Sequence, residues 1–199
     1  MNEILAFNKW GTTGIVVEDM GLKNYITLTP RIVPKTGARY AGNRFHKSRT
    51  FIVERLINKL MIPGHKAKKH TRSSGHCTGK GQTVYKLVED AFNLIETKLE
   101  KNPIEVFVKA LENAAPREEI ITIEYGGARY PKAVECAPQR RIDIALRLMV
   151  QGTYQKSFGT SRKASVVLAQ TIMDAYVKSS NCLAISKKHE MERQADSSR

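Results

Sequence analysis

The chain has 199 residues, enough to bury one core with attached arms, and its 41% hydrophobic content argues against disorder. Thirty-three Lys and Arg against nineteen Asp and Glu leave a formal charge of +14, which points to a polyanionic partner such as nucleic acid. No stretch approaches the ~18 apolar residues of a membrane span, MNEILAFNKW lacks the pattern of a secretory signal, and three distant cysteines make no disulfide framework.

Residues 1–47 read as an N-terminal extension. Ile15–Val17 and Tyr25–Leu28 are short β-prone runs, and Pro30, Pro34, Gly37 and Gly42 are turn-formers. Apolar residues before Val33 suit either a core-wrapping strap or a free arm. In the second half, Lys35, Arg39, Arg44, Lys47 and Arg49 are interleaved with Tyr40, Phe45 and His46, a pattern that can order on RNA.

From Ser48 the period turns helical. Ile52, Leu56 and Leu60 form one row, Val53, Ile57 and Met61 the next, and Pro63-Gly64 ends the stripe. A second helix is predicted over about Thr83–Leu99. Asn102-Pro103-Ile104-Glu105 then supplies an N-cap, a proline at the first helical position and an early acid, and this third helix stops before Pro116. Ile120–Tyr125 and Ala128–Cys136 flank Gly126-Gly127, a two-residue hairpin turn; Pro131 confines the ribbon to an edge or a free arm. Helices follow from Pro138 and from Ser161. The tail from about Ser186 is helical in propensity but so polar that it is expected to be mobile. The fold class is therefore mainly α: a bundle of five to six helices, a protruding two-stranded hairpin within 119–137 and an extended N-terminal arm. Residues 48–199 form the helical RNA-binding domain.

From Arg55 through Val88 there are eight Lys or Arg and no acid. The basic loop 62–82 holds Lys66, Lys68, Lys69, Arg72 and Lys80 among Gly, Ser and Thr, so these cations lack local counter-charges. On the fourth long helix Arg140, Arg141 and Arg147 cluster, with Lys156, Arg162 and Lys163 beyond; Lys163 lies near a helix N-terminus. An i,i+4 pair of Asp143 with Arg147 is expected.

Enzymatic readings find little support. Gly75-His76-Cys77-Thr78-Gly79-Lys80-Gly81 has the wrong spacing for a nucleotide-cradling loop, with Gly81 where a magnesium-binding hydroxyl should stand. His65, His70, His76 and Cys77 lack zinc-ligand spacing. No catalytic residue, metal or cofactor is expected.

The stretches IVERLINKLM (52–61), NPIEVFVKALENAAPREE (102–119), YGGARYPKAVECAPQRRIDIALRLM (125–149) and SSNCLAISKKHEMERQADSSR (179–199) resemble the universal small-subunit ribosomal protein number seven family. The resemblance covers roughly residues 39–199. Lys9-Trp10 and the Ser-Ser-Arg ending look like the archaeal and eukaryotic cytosolic type, archaeal preferred. It implies a cytoplasmic, non-enzymatic ribosome constituent that binds the 3′ major domain of small-subunit ribosomal RNA and helps assemble the subunit head. It also implies neighbouring head and platform proteins as partners, and a ribbon near the exit-site tRNA and the mRNA path. It implies no membrane and no small-molecule substrate. Carried over, the tip is Tyr125-Gly126-Gly127-Ala128-Arg129-Tyr130. Two departures stand out. Glu118, Glu119, Glu124 and Glu135 make the ribbon less basic than a family arm, and the loop 62–81 is longer than in bacterial members. The competing readings are a DNA-architectural protein, which would dimerise and bind duplex, and a metal-dependent RNA hydrolase built on the His/Cys loop.

Overall fold

The computed structural model describes residues 4–39, 41–66, 69–70, 76 and 78–199, with the side chains at 65, 66, 69 and 70 left aside. Among the described residues six α-helices and two antiparallel ribbons follow in order: α1 Ile52–Leu60, β1 His65–Lys66, β2 Lys69–His70, α2 Gly81–Leu99, α3 Pro103–Ala114, β3 Glu118–Tyr125, β4 Ala128–Glu135, α4 Pro138–Ser157, α5 Ala164–Tyr176 and α6 Leu183–Asp196. The mainly helical class and the hairpin are as the periodicity predicts.

Local chemistry explains most boundaries. Asn102 caps α3 by accepting a hydrogen bond from the Ile104 amide at 3.0 Å, with Pro103 at the first helical position. The residue before Pro116, Ala115, is extended, as the proline ring requires. Pro138 opens α4 in the same way. α5 starts at Ala164, three residues later than predicted, because Ser161–Lys163 belong to the preceding connection. It is the central helix: Leu168, Ile172 and Ala175 are fully buried, and it packs against α2, α3 and α4.

Between residues 6 and 28 the N-terminal extension does not stand away from the bundle. Ala6, Phe7, Trp10, Val17, Leu22 and Ile26 belong to the same buried cluster as the helices. Phe7 and Trp10 meet Phe92 of α2 edge-on, and the Trp10 indole donates to Glu96 at 3.1 Å. Neither β-prone run becomes a strand. Tyr25 ends a short 3-10 turn, and Thr27 makes one isolated bridge to Phe51, since a strap tied by side chains needs no ladder.

The tail departs furthest from expectation. α6 is docked, with Ala184, Ile185 and Ala195 buried, and it packs on β3, β4 and α4. The Ala133 amide donates to the Ser198 carbonyl at 3.3 Å, and Arg199 pairs with Glu118 at 2.7 Å. Small residues at 184 and 195 let the polar helix lie close, so modest apolar area combined with polar contacts replaces a broad stripe. The ribbon therefore has a held base and a bare distal half.

Candidate nucleic-acid interface

The exposed side of α4 organises the basic residues. Positions 140, 143, 147, 151, 154 and 158 recur every three or four residues, so they share one face of a helix ~30 Å long. Arg140, Arg147 and Phe158 on it are exposed, while Arg141, Ile142, Ala145, Leu146 and Met149 point into the core.

Near the ribbon, Arg140 makes a two-pronged ion pair with Glu119, at 2.6 Å from Nε and 2.7 Å from Nη2. Its neighbour Arg141 is buried: Nε donates to the Pro116 carbonyl at 3.0 Å, and Nη2 meets Asp19 at 2.6 Å. Burial works against the Asp19 carboxylate, yet Arg141 and the Gly21 amide hold its pKa below the ordinary value. Arg141 thus ties the N-terminal strap to the base of the ribbon; adjacent arginines on a helix are 100° apart and need not share a role.

One turn on, Asp143 accepts from Lys47 at 3.1 Å and from Arg55 at 3.0 Å, not from Arg147 as the i,i+4 rule suggests. Arg55 is the stronger claimant because its side chain is only 6% exposed and needs a counter-charge. Burial disfavours the Asp143 carboxylate, and the two cations more than offset this, leaving its pKa below the usual range. Arg147 is left exposed with no ion-pair partner among the described residues. Lys59 stands close enough to feel it: burial first, then repulsion from Arg147 and Lys47, push the Lys59 pKa down. Lys47 and Arg55 therefore take up the one carboxylate, while Lys59 and Arg147 stand beside it unpaired among the described residues. Lys59 was hidden in the sequence within the apolar rows of α1.

Before α1, Lys35, Arg39, Arg44, Lys47 and Arg49 are all exposed. Arg44 stacks 4.9 Å over the half-exposed ring of Phe45. At the far end of α4, Tyr154 and Phe158 lie with ring centroids 5.7 Å apart, an aromatic end to the stripe that a search for apolar periodicity overlooks. Lys156 donates to the Asn181 carbonyl at 2.8 Å, while Arg162 and Lys163 are exposed in the turn into α5. Lys163 is the N-cap residue of α5.

The loop 62–82 is described only in part. Lys66 and Lys69 are paired backbone partners in the β1–β2 ribbon, and Lys80 donates to the His76 carbonyl at 2.5 Å. Lys68, Arg72 and Cys77 lie outside the described residues, as does Tyr40. In the long hairpin Gly126 and Gly127 have φ of 56° and 82°, the two left-handed positions that its turn needs. Tyr125 is opposite Ala128 and Ile123 opposite Tyr130; both tyrosines are exposed, and Arg129 leans toward Glu124 at 3.7 Å. On α4 itself Arg140, Arg141 and Lys156 each have an acid partner, the last in Asp174 at 3.8 Å, so Arg147 is the cation of that helix left without one among the described residues. Cys136 is no nucleophile: burial, with Glu119 nearby, pushes its thiol up to about 11.

A family model described as Ribosomal protein S7p/S5e matches residues 22–199, further toward the N-terminus than the stretches quoted above. The small ribosomal subunit protein uS7 of Nanoarchaeum equitans is 48% identical over 193 residues, covering 97% of this chain and 98% of its own. Its counterpart from Methanothrix thermoacetophila is 42% identical over 194 residues, covering 98% and 99%. That from Archaeoglobus fulgidus is 42% identical over 197 residues, covering 99% and 96%.

Proposed function

The chain belongs to the ribosomal protein S7p/S5e family, and on that premise we propose that it is a non-enzymatic constituent of the small ribosomal subunit that binds the 3′ major domain of small-subunit rRNA. It helps assemble the subunit head beside neighbouring head and platform proteins, within the cytoplasmic ribosome. It works without cofactor, metal or small-molecule substrate, and away from membranes.

The observation carrying this reading is the uncompensated cationic face around Arg147. Lys47, Arg55, Lys59 and Arg147 surround a single carboxylate, Asp143. An RNA phosphate is the missing counter-charge. Lys35, Arg39, Arg44 and Arg49 extend the face on one side; Lys156, Arg162 and Lys163 extend it along α4. Lys66, Lys68, Lys69, Arg72 and Lys80 supply a further basic loop, and Arg140 reaches RNA only by leaving Glu119. Arg141 acts from behind, setting the angle of the ribbon. The ribbon tip, Tyr125–Tyr130, offers stacking rings and a compact glycine turn, with its one cation, Arg129, facing Glu124, which suits passage beside exit-site tRNA and mRNA.

The test is binding of the purified chain to transcribed 3′ major domain, with another domain of the same rRNA and duplex DNA as competitors, across a salt series. Contact with about eight phosphates gives a log–log salt slope of magnitude around six to seven. A flat dependence, or equal affinity for duplex DNA, overturns the proposal.

A further inference from the structure

The side of the molecule formed by α3, α6, the base of β3 and residues 18–20 holds a cleft of about 770 Å³ that none of the RNA contacts above uses. Its charges are arranged quite differently from the α4 face. Around the rim the carboxylates outnumber the cations that bridge them: Lys109 serves both Glu18 and Glu112, and Arg199 both Glu118 and Asp196. Glu112 also accepts from the Glu18 amide at 2.7 Å, and Glu192 from the Arg117 amide at 3.0 Å.

The floor is different. Lys188, half-buried on the inner side of α6, donates to the Asn113 carbonyl at 2.8 Å. An ammonium has three protons, and no second acceptor for it exists among the described residues. The side chains of Arg117 and Lys178, exposed, have no ion-pair partner among those residues either. Burial, with repulsion from Arg117, Arg141 and Lys178 outweighing the help of Glu192, keeps the Lys188 pKa down. The arrangement lacks one anion at its centre, inside a ring that still carries exposed carboxyl groups. Glu18 and Asp196 are 70% and 67% exposed, so a polyanionic RNA strand would meet like charge on entering. A polypeptide carrying a carboxylate with cations beside it meets opposite charge at every point.

We propose that this cleft seats an extended segment of a neighbouring protein, with one of its carboxylates held by Lys188, Lys178 and Arg117 and adjacent Lys or Arg held by the rim acids. The inference rests on the chain being a small-subunit constituent. Treating intact small subunits with a zero-length carbodiimide joins salt-bridged amines and carboxylates as amides, with loss of water, and mass spectrometry reads the linked pairs. The expected result is Lys188 or Lys178 linked to an Asp, Glu or C-terminal carboxylate of another protein. In subunits carrying Lys188→Gln, which keeps a donor for the Asn113 carbonyl, that protein should wash off at lower salt. Links confined to acids of this chain, notably Glu192, overturn the proposal. So do ultraviolet links from this cleft to rRNA. Co-sedimentation of the chain with the subunits, read from the same gradient, reports the ribosomal reading separately, whichever way the links fall.

Discussion

Replacing Asp143 by Asn removes the carboxylate that Lys47 and Arg55 share. Arg55 is left 6% exposed, with one long contact, 3.4 Å, to the Tyr25 carbonyl. Breaking a buried ion pair from one side costs about 3–5 kcal/mol. Asp143 is itself 30% exposed, so water repays part of the loss and the lower end, about 3 kcal/mol, applies. For a domain of this size that is a fall in Tm of about 6–12 °C. The assay is thermal unfolding followed by circular dichroism at pH 7. Arg55→Met combined with Asp143→Leu should recover most of the loss, because no charge is then stranded. The Asp143 pKa is depressed on folding, so its contribution is complete above the ordinary value of 3.8 and fades as pH falls through the folded value. Wild type and Asp143→Asn should therefore converge only below about pH 4. A drop under about 2 °C, or a double variant no better than the single one, would mean that Arg55 does not depend on Asp143.

Other expectations follow from the same contacts. Arg147→Gln should leave Tm unchanged, weaken binding to all RNA fragments similarly and lower the salt slope by about one; an unchanged slope would mean that no phosphate sits there. Lys59→Met should raise Tm of the free protein, because a charge pressed by burial and two cations is gone, and should weaken RNA binding in the same salt series. Phe92→Ala empties a fully buried ring position beneath Phe7 and Trp10 and should cost about 3–5 kcal/mol in urea unfolding. Hydrogen exchange should find the amides of α6 protected as a unit, with loss of protection in Ala195→Glu; fast exchange throughout α6 would restore the expectation of a mobile tail.

The elements that were legible in the sequence are those whose boundaries are set by a few neighbouring residues. Asn102-Pro103 starts a helix by satisfying or removing end amides, and Gly126-Gly127 turns a ribbon because both positions need left-handed backbone. What was not legible depends on residues far apart in the chain. Asp143 has Arg147 four residues away, yet Arg55, eighty-eight positions earlier, claims it because burial raises its need. Arg141 reads as a phosphate ligand beside Arg140, and only its inward angle reveals a strut to Asp19. Lys59 looked incidental among apolar rows until α4 laid Arg147 beside it. Hydrophobic period alone makes the polar tail look loose, whereas α6 docks through small residues and charge.

Sucrose-gradient fractionation of a lysate, with a high-salt wash and detection of this chain, tests whether it is an integral constituent of the small subunit. A ribosomal constituent held by many phosphate contacts and by fold complementarity stays with the small subunits through the wash. Recovery at the top of the gradient, or with chromosomal DNA, would contradict the account and favour a DNA-architectural protein.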